Sequence, residues 1–74
     1  MKIDLHGKSH RESIRLVEDL LLDNSLVSTI TETEIITGNS LVLQNKIIQE
    51  VLEHHGFKWY IPHWNKGMIV VLNH

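Results

Sequence analysis

Ile3-Asp4-Leu5-His6-Gly7 alternates apolar and polar residues and stops at a glycine directly ahead of a helix-start signal. The alternation has the period of a strand, in which side chains two apart share a face, so Ile3 and Leu5 point toward a core while Asp4 and His6 point away from it. A carboxylate beside an imidazole can fix the ring's tautomer and leave the other ring nitrogen for proton transfer or phosphate contact. The same spacing also describes the wet side of a half-covered strand, and spacing alone does not separate the two.

Downstream, Ser9-His10-Arg11-Glu12 has the Ser-x-x-Glu form of a capping box, in which hydroxyl and carboxylate satisfy open backbone N–H groups, so a helix begins near His10. Ile14, Val17, Leu20 and Leu21 recur at helical spacing as a buried stripe, with Arg11, Arg15, Glu18 and Asp19 facing outward. Asp23-Asn24-Ser25 is expected to end this helix, and Leu26 to Thr31, which lacks a clean alternation, reads as a loop returning across the sheet. Glu34-Ile35-Ile36-Thr37-Gly38 reads as a second strand that ends at a glycine, after which Asn39 or Ser40 caps the next helix. That helix turns Ile47, Ile48, Val51 and Leu52 inward and Lys46, Gln49, Glu50 and Glu53 outward. His54-His55-Gly56 closes it. Glycine suits the left-handed position after a helix, and histidines are favoured at the negative end of its dipole, so the His pair is assigned a structural role and not a metal site. Phe57 to Ile61 is a third strand. Met68 to Leu72 is a fourth, largely buried, and the six residues Pro62 to Gly67 between them form an antiparallel hairpin loop.

The order strand, helix, strand, helix, strand, strand, joined by right-handed crossovers, predicts an α/β two-layer sandwich: a four-stranded mixed sheet with two helices on one face. With 74 residues, the chain has room for one small domain spanning residues 1–74. The absence of cysteine excludes disulfides and thiolate chemistry and fits a cytoplasmic protein. No apolar run approaches the ~18 residues of a membrane span and no signal-peptide core follows Met1, so a soluble, unprocessed chain with no membrane partner is expected. A net charge of −2 counts against strong, indiscriminate binding to nucleic acid, which draws most of its affinity from Lys and Arg on phosphates. The charges are polarised, however. Lys2, Lys8, Arg11 and Arg15 gather near the first motif, while Glu18, Asp19, Asp23, Glu32 and Glu34 follow with no basic residue among them.

Asp4-Leu5-His6-Gly7 before a capped helix, followed by Ile35-Ile36-Thr37-Gly38 opening a second helix, resembles the Smr (small MutS-related) domain over nearly the whole chain. The resemblance implies a nucleic-acid-binding domain, often an endonuclease that cleaves RNA or nicks DNA, with a fold similar to the C-terminal domain of translation initiation factor three. It implies functional weight for Asp4 and His6 and for the second motif, which in the family usually reads Thr-Gly-x-Gly. Here that motif is Thr37-Gly38-Asn39-Ser40, without the second glycine. Where family members often carry a Leu-Arg pair, this chain has Leu43-Gln44, with Lys46 as the nearest replacement for the charge.

If the first two strands are parallel, Gly7 and Gly38 fall at the same sheet edge, where open α/β sheets bind ligands. Glycine lets a backbone approach closely and a helix opening at Asn39-Ser40 presents N–H groups to phosphate, although a lone Thr-Gly is also an ordinary strand-to-helix turn. The candidate catalytic pair is therefore Asp4 and His6, with His6 as general base or acid and Asp4 orienting it. In RNA, slightly favoured over DNA, His6 would activate either the neighbouring 2′-hydroxyl or a water. Candidate nucleic-acid contacts are Gly7, Lys8, Arg11, Arg15, Thr37, Gly38, Asn39, Ser40, Lys46, Trp64 and Lys66. Trp64 either stacks on a base beside His63 and Lys66 or folds back onto the core. No cofactor is expected, and a divalent metal on Asp4, the alternative, is accompanied by no carboxylate cluster. The rival reading is a non-catalytic module that binds structured RNA, branched nucleic acid or a ribosome. The lost glycine and the acidic balance favour the module, and the intact Asp4 and His6 favour the enzyme. A protein-interaction adaptor would require an exposed apolar patch that the sequence does not display, and no pattern specifies an oligomer.

Overall fold

A computed structural model describes residues 1–24 and 32–72. Its elements run β1 (Lys2–Asp4), α1 (His10–Asn24), β2 (Glu32–Ile36), α2 (Leu41–Ile47), a π-helical stretch (Ile48–Leu52), α3 (Glu53–His55), β3 (Lys58–Tyr60) and β4 (Met68–Leu72). The sheet order is β1-β2-β4-β3, with β1 parallel to β2 and β4 antiparallel to both β2 and β3. This is the expected mixed α/β sheet. The loop expected over Leu26 to Thr31 lies outside the described residues.

Register explains which face is core. Ile3 pairs with Ile35 and Ile35 with Ile69, while Thr33 pairs with Val71 and Val71 with Trp59, so these side chains share one face. Val17 and Leu21 of α1 and Leu43, Ile47, Val51 and Leu52 of the second helical rod join Ile3, Ile35, Ile69 and Val71 in a single buried cluster. Both helices therefore cover the same side. β4 is a central strand, and Met68, Ile69, Val70 and Val71 are all buried, as its unbroken apolar run requires.

α1 starts where the capping box places it: Glu12 N–H donates to Ser9 Oγ at 3.1 Å and Ser9 N–H to Glu12 Oε1 at 3.3 Å. α2, the π-helical stretch and α3 follow one another without a break, and the wider turn within the rod was not visible in the apolar spacing. Gly56, at φ 75°, ends the rod. Its N–H donates to Glu53 O and Phe57 N–H to Leu52 O, the paired bonds of a Schellman cap. Of the His pair, His55 has a local structural partner, Nε2 lying 2.7 Å from Glu18 Oε2 and tying α3 to α1.

Three strand limits differ from the sequence reading. β1 stops at Asp4 because Leu5 to Lys8 form a turn, although Leu5 N–H still reaches Ile36 O at 3.2 Å. β2 runs from Glu32 to Ile36 rather than from Glu34 to Gly38. Thr33 is buried opposite Val71, and beyond Ile36 the N–H groups of Thr37 and Gly38 both turn to Gly67 O. β3 is only Lys58 to Tyr60, an edge strand paired on one side.

Candidate functional site

Gly7 and Gly38 do lie at the same end of adjacent parallel strands. Both have left-handed backbones, φ 76° and 65°, a region that no described non-glycine residue enters. In the first turn Lys8 N–H closes onto Leu5 O at 3.2 Å, which places Gly7 at the position that a type II turn reserves for glycine. Between the two turns opens a cleft of about 310 Å³. Asp4, His6, Gly7, Lys8 and His10 form one wall and Ile36, Thr37, Gly38, Asn39, Ser40 and Leu43 the other.

The Asp4 carboxylate does not reach the imidazole. Its Oδ1 accepts the backbone N–H of His6 at 2.9 Å, so Asp4 fixes the chain that carries His6 and leaves the ring unconstrained. The expected orientation of the ring by Asp4 is thereby corrected: a carboxylate two residues upstream of a tightening turn finds the intervening N–H first. His6 and Lys8 are exposed at the cleft. Ser9, by hydrogen bonds from side chain and backbone, holds the neighbouring Glu12 carboxyl below its ordinary range, with Lys8 adding to the effect.

The second turn spends its polar groups inward. Thr37 N–H, Gly38 N–H and Thr37 Oγ1 all donate to Gly67 O, at 2.8, 3.1 and 3.1 Å. Gln44, buried, donates from Nε2 to Thr37 Oγ1 at 3.2 Å and to Lys66 O at 2.9 Å. Gln44 thus anchors the β3–β4 loop and does not stand in for a phosphate-binding arginine. Thr37 and Gly38 line the cleft, but the Thr37 hydroxyl and both N–H groups are committed elsewhere. Ser40, not Asn39, caps α2, its Oγ accepting Leu43 N–H at 3.2 Å.

The other predicted contacts separate into distinct places. Arg11, Arg15 and Lys46 line a groove of about 340 Å³ between α1 and the second rod, together with His10, Ile14, Glu18 and Glu50. Lys8 and Arg15 also border a depression on a neighbouring flank of α1, with Glu12, Leu16 and Asp19. Trp64 and Lys66 lie on the β3–β4 loop outside the cleft wall. Trp64 is 68 % exposed, so it does not fold back onto the core, whereas Trp59 packs against it. His10 was missed by the sequence reading. The available signal was its place directly after the capping serine, which sets it at the end of the helix facing the first turn.

Among the described residues no group of three His, Asp or Glu side chains is placed to hold a metal ion, and no helix is long and apolar enough to cross a membrane. Comparison with protein-family models, curated proteins and solved structures finds no match.

Proposed function

We propose that this chain is a cytoplasmic, Smr-like nucleic-acid-binding domain that acts as an endonuclease on phosphodiester bonds, with RNA favoured over DNA. The observation that carries the proposal is the cleft: two glycine turns, distant in sequence, meet at one end of parallel strands with an exposed imidazole and an exposed ammonium group between them. His6 transfers a proton at the scissile phosphate, Lys8 offsets the charge that builds on the phosphoryl oxygens, and Asp4 holds the turn on which both are mounted. Arg11, Arg15 and Lys46 take the flanking phosphates in the adjoining groove, and exposed Trp64 with Lys66 offers a stacking face to an unpaired base.

One observation favours the binding module as second reading. The Thr37 hydroxyl and the Gly38 N–H, on which a phosphate grip of the family type would draw, already serve Gly67 and Gln44. Labelled single-stranded, hairpin and duplex RNA and DNA, incubated with purified protein with and without EDTA, separate the two. The enzyme reading expects cleavage that His6→Ala lowers by roughly a hundredfold to ten-thousandfold while binding changes little. Salt-sensitive binding without cleavage would leave the module, and no binding at low salt would remove both.

A further inference from the structure

Both helical rods cover one face of the sheet. By register the other face carries Ile36 of β2, Met68, Val70 and Leu72 of β4, and Tyr60 of β3. Met68 and Val70 are each 3 % exposed, yet neither belongs to the core cluster under the helices. They are sunk between the side chains that flank them, of which Ile36 and Leu72 are half-buried and Tyr60 is 46 % exposed. The sheet therefore has a second apolar stripe along its central strand, and no helix or strand among the described residues lies over it. An apolar stripe with a charged rim is the pattern of a contact surface.

The rim determines what fits this face. Beside Leu72 stand Glu32 on one side and Lys58 on the other, and beside Val70 stand Glu34 and Tyr60. The margin along β2 is thus acidic, while the margin along β3 presents an ammonium group and a phenol hydroxyl. Such a face is complementary to itself. A two-fold axis laid along β4, in the plane between two copies, exchanges the β2 and β3 margins and keeps each row at its own height along the strand. Glu32 then meets Lys58 of the second copy, Glu34 meets its Tyr60 hydroxyl, and the stripe from Met68 to Leu72 meets itself. Lys2, in register beside Glu34, and Asp4 fall outside the overlap with the rest of β1. An axis laid across the strands would instead set Glu34 against Glu34, which like charges oppose.

We infer that this face is the contact of a symmetric dimer of the chain, two sheets packed face to face about an axis along β4. Three strands about 4.8 Å apart, at about 3.3 Å per residue along the five residues of β4, give a footprint of roughly 14 by 17 Å. That is well below the ~800 Å² per partner of a standard interface, so the dimer is a weak, exchanging one that forms between roughly tens of micromolar and millimolar. Because the axis runs along the strands, the sheet ends that carry Gly7 and Gly38 point the same way in both copies, and the two clefts open side by side. The dimer does not depend on the chemistry proposed for those clefts.

Sedimentation equilibrium of the full chain at low ionic strength, from roughly 20 µM to 2 mM, tests it. Wild type is expected to pass from monomer toward dimer across that range. Glu32→Lys and Lys58→Glu each turn two attractive pairs into two repulsive ones, so each is expected to weaken the dimer by roughly tenfold. The chain that carries both changes has the same pairs with their signs exchanged, and is expected within about threefold of wild type. Both side chains are exposed, so thermal melts of the three variants at low concentration should stay close to wild type. On dilution, the amide shifts of Ile36, Val70 and Leu72 should move and those of α1 should not. A wild-type chain still monomeric at about 2 mM would overturn the inference. So would single variants that dimerise as tightly as wild type, a double variant no tighter than the singles, or dilution shifts confined to the helical face.

Discussion

Replacing Gly67 by alanine adds one methyl group where the backbone has no room for it. A Cβ there would sit 2.8 Å from Gly38 O, 3.2 Å from Gly38 C and 3.3 Å from Gly38 Cα. All three are main-chain atoms, so no rotamer change relieves the contact, and one segment must retreat by roughly half an ångström to reach ordinary van der Waals separation. The retreat is costly because the same two segments are joined by the bonds from Thr37 N–H, Gly38 N–H and Thr37 Oγ1 to Gly67 O. Overpacking of this kind costs about 1–3 kcal/mol. Stretching hydrogen bonds with net values near 1 kcal/mol each adds about another 1 kcal/mol. The expected loss is about 2–4 kcal/mol, set against a total of roughly 4–11 kcal/mol for a domain of this length. In a domain of this size it corresponds to a fall in Tm of roughly 10–30 °C.

Urea titration and thermal circular dichroism measure the loss directly. Gly7→Ala is the internal comparison, since a Cβ at Gly7 meets nothing within 4 Å and pays only for its left-handed backbone, at φ 76°. That penalty is about 1–2 kcal/mol, so Gly67→Ala should be the more damaging of the two. Amide shifts of Thr37 and Gly38 should move in the Gly67 variant and stay in place in the Gly7 variant. A Gly67→Ala protein that melts within about 3 °C of wild type would refute the close approach of the two turns.

Ser13 is fully buried and its Oγ has no partner among the described residues, so Ser13→Ala, which also raises helix propensity, should stabilise the domain by about 1 kcal/mol in urea titration. Glu12 has its folded carboxyl lowered from the ordinary value of 4.5 by its bonds to Ser9, so the cap is fully present above that value and is lost as pH falls through the lower folded value. An NMR titration of Glu12 should give a midpoint below 4.5, with the Ser9 amide following it; a midpoint at or above 4.5 would deny the cap in solution. Asp4→Asn keeps an oxygen for the His6 N–H and Asp4→Ala does not. In a cleavage assay the alanine variant should lose about tenfold, the equivalent of one hydrogen bond, and the asparagine variant far less. Equal losses would instead require the carboxylate charge itself.

How much of this was legible in the chain depends on how local each signal is. Ser9 and Glu12 cap a helix through atoms three residues apart, and the β4 run from Met68 needs only its own apolar character to mark it as a central strand. Gly7 and Gly38 were readable for the same reason as the turns that follow β1 and β2, though not the residues at which the strands stop. What escaped was settled between segments far apart in sequence. Gln44 looked like a weakened arginine until its amide met Thr37 and Lys66, and Thr37 looked like a strand residue until Gly67 O claimed its N–H. Asp4 was assigned to the ring because both face away from the core, but face does not choose between an imidazole and the nearer N–H. His10 carried only the signal of a cap neighbour, since the groove it borders exists only once α1 and the second rod are packed together.

The two turns consequently make unequal contributions to the proposed site. The second is fastened by its own polar atoms: Gly67 O takes three donors, Gln44 bridges Thr37 to Lys66, and Ser40 Oγ is occupied with Leu43. The Thr37 and Gly38 donors of that wall are therefore turned away from the cleft. The first turn is fastened through its backbone, by Asp4 at His6 N–H and by Leu5 O at Lys8 N–H, and among the described residues nothing hydrogen-bonds the imidazole or the ammonium group of those same residues. In the proposed site the imidazole and the ammonium group are thus carried by the first turn, and the opposite wall is held in shape by its own hydrogen bonds. Under the proposed function the absence of a second glycine after Gly38 then has a physical sense: the Thr37 and Gly38 N–H groups serve Gly67 O, and phosphate contacts would fall to Lys8 and the cations of the adjoining groove.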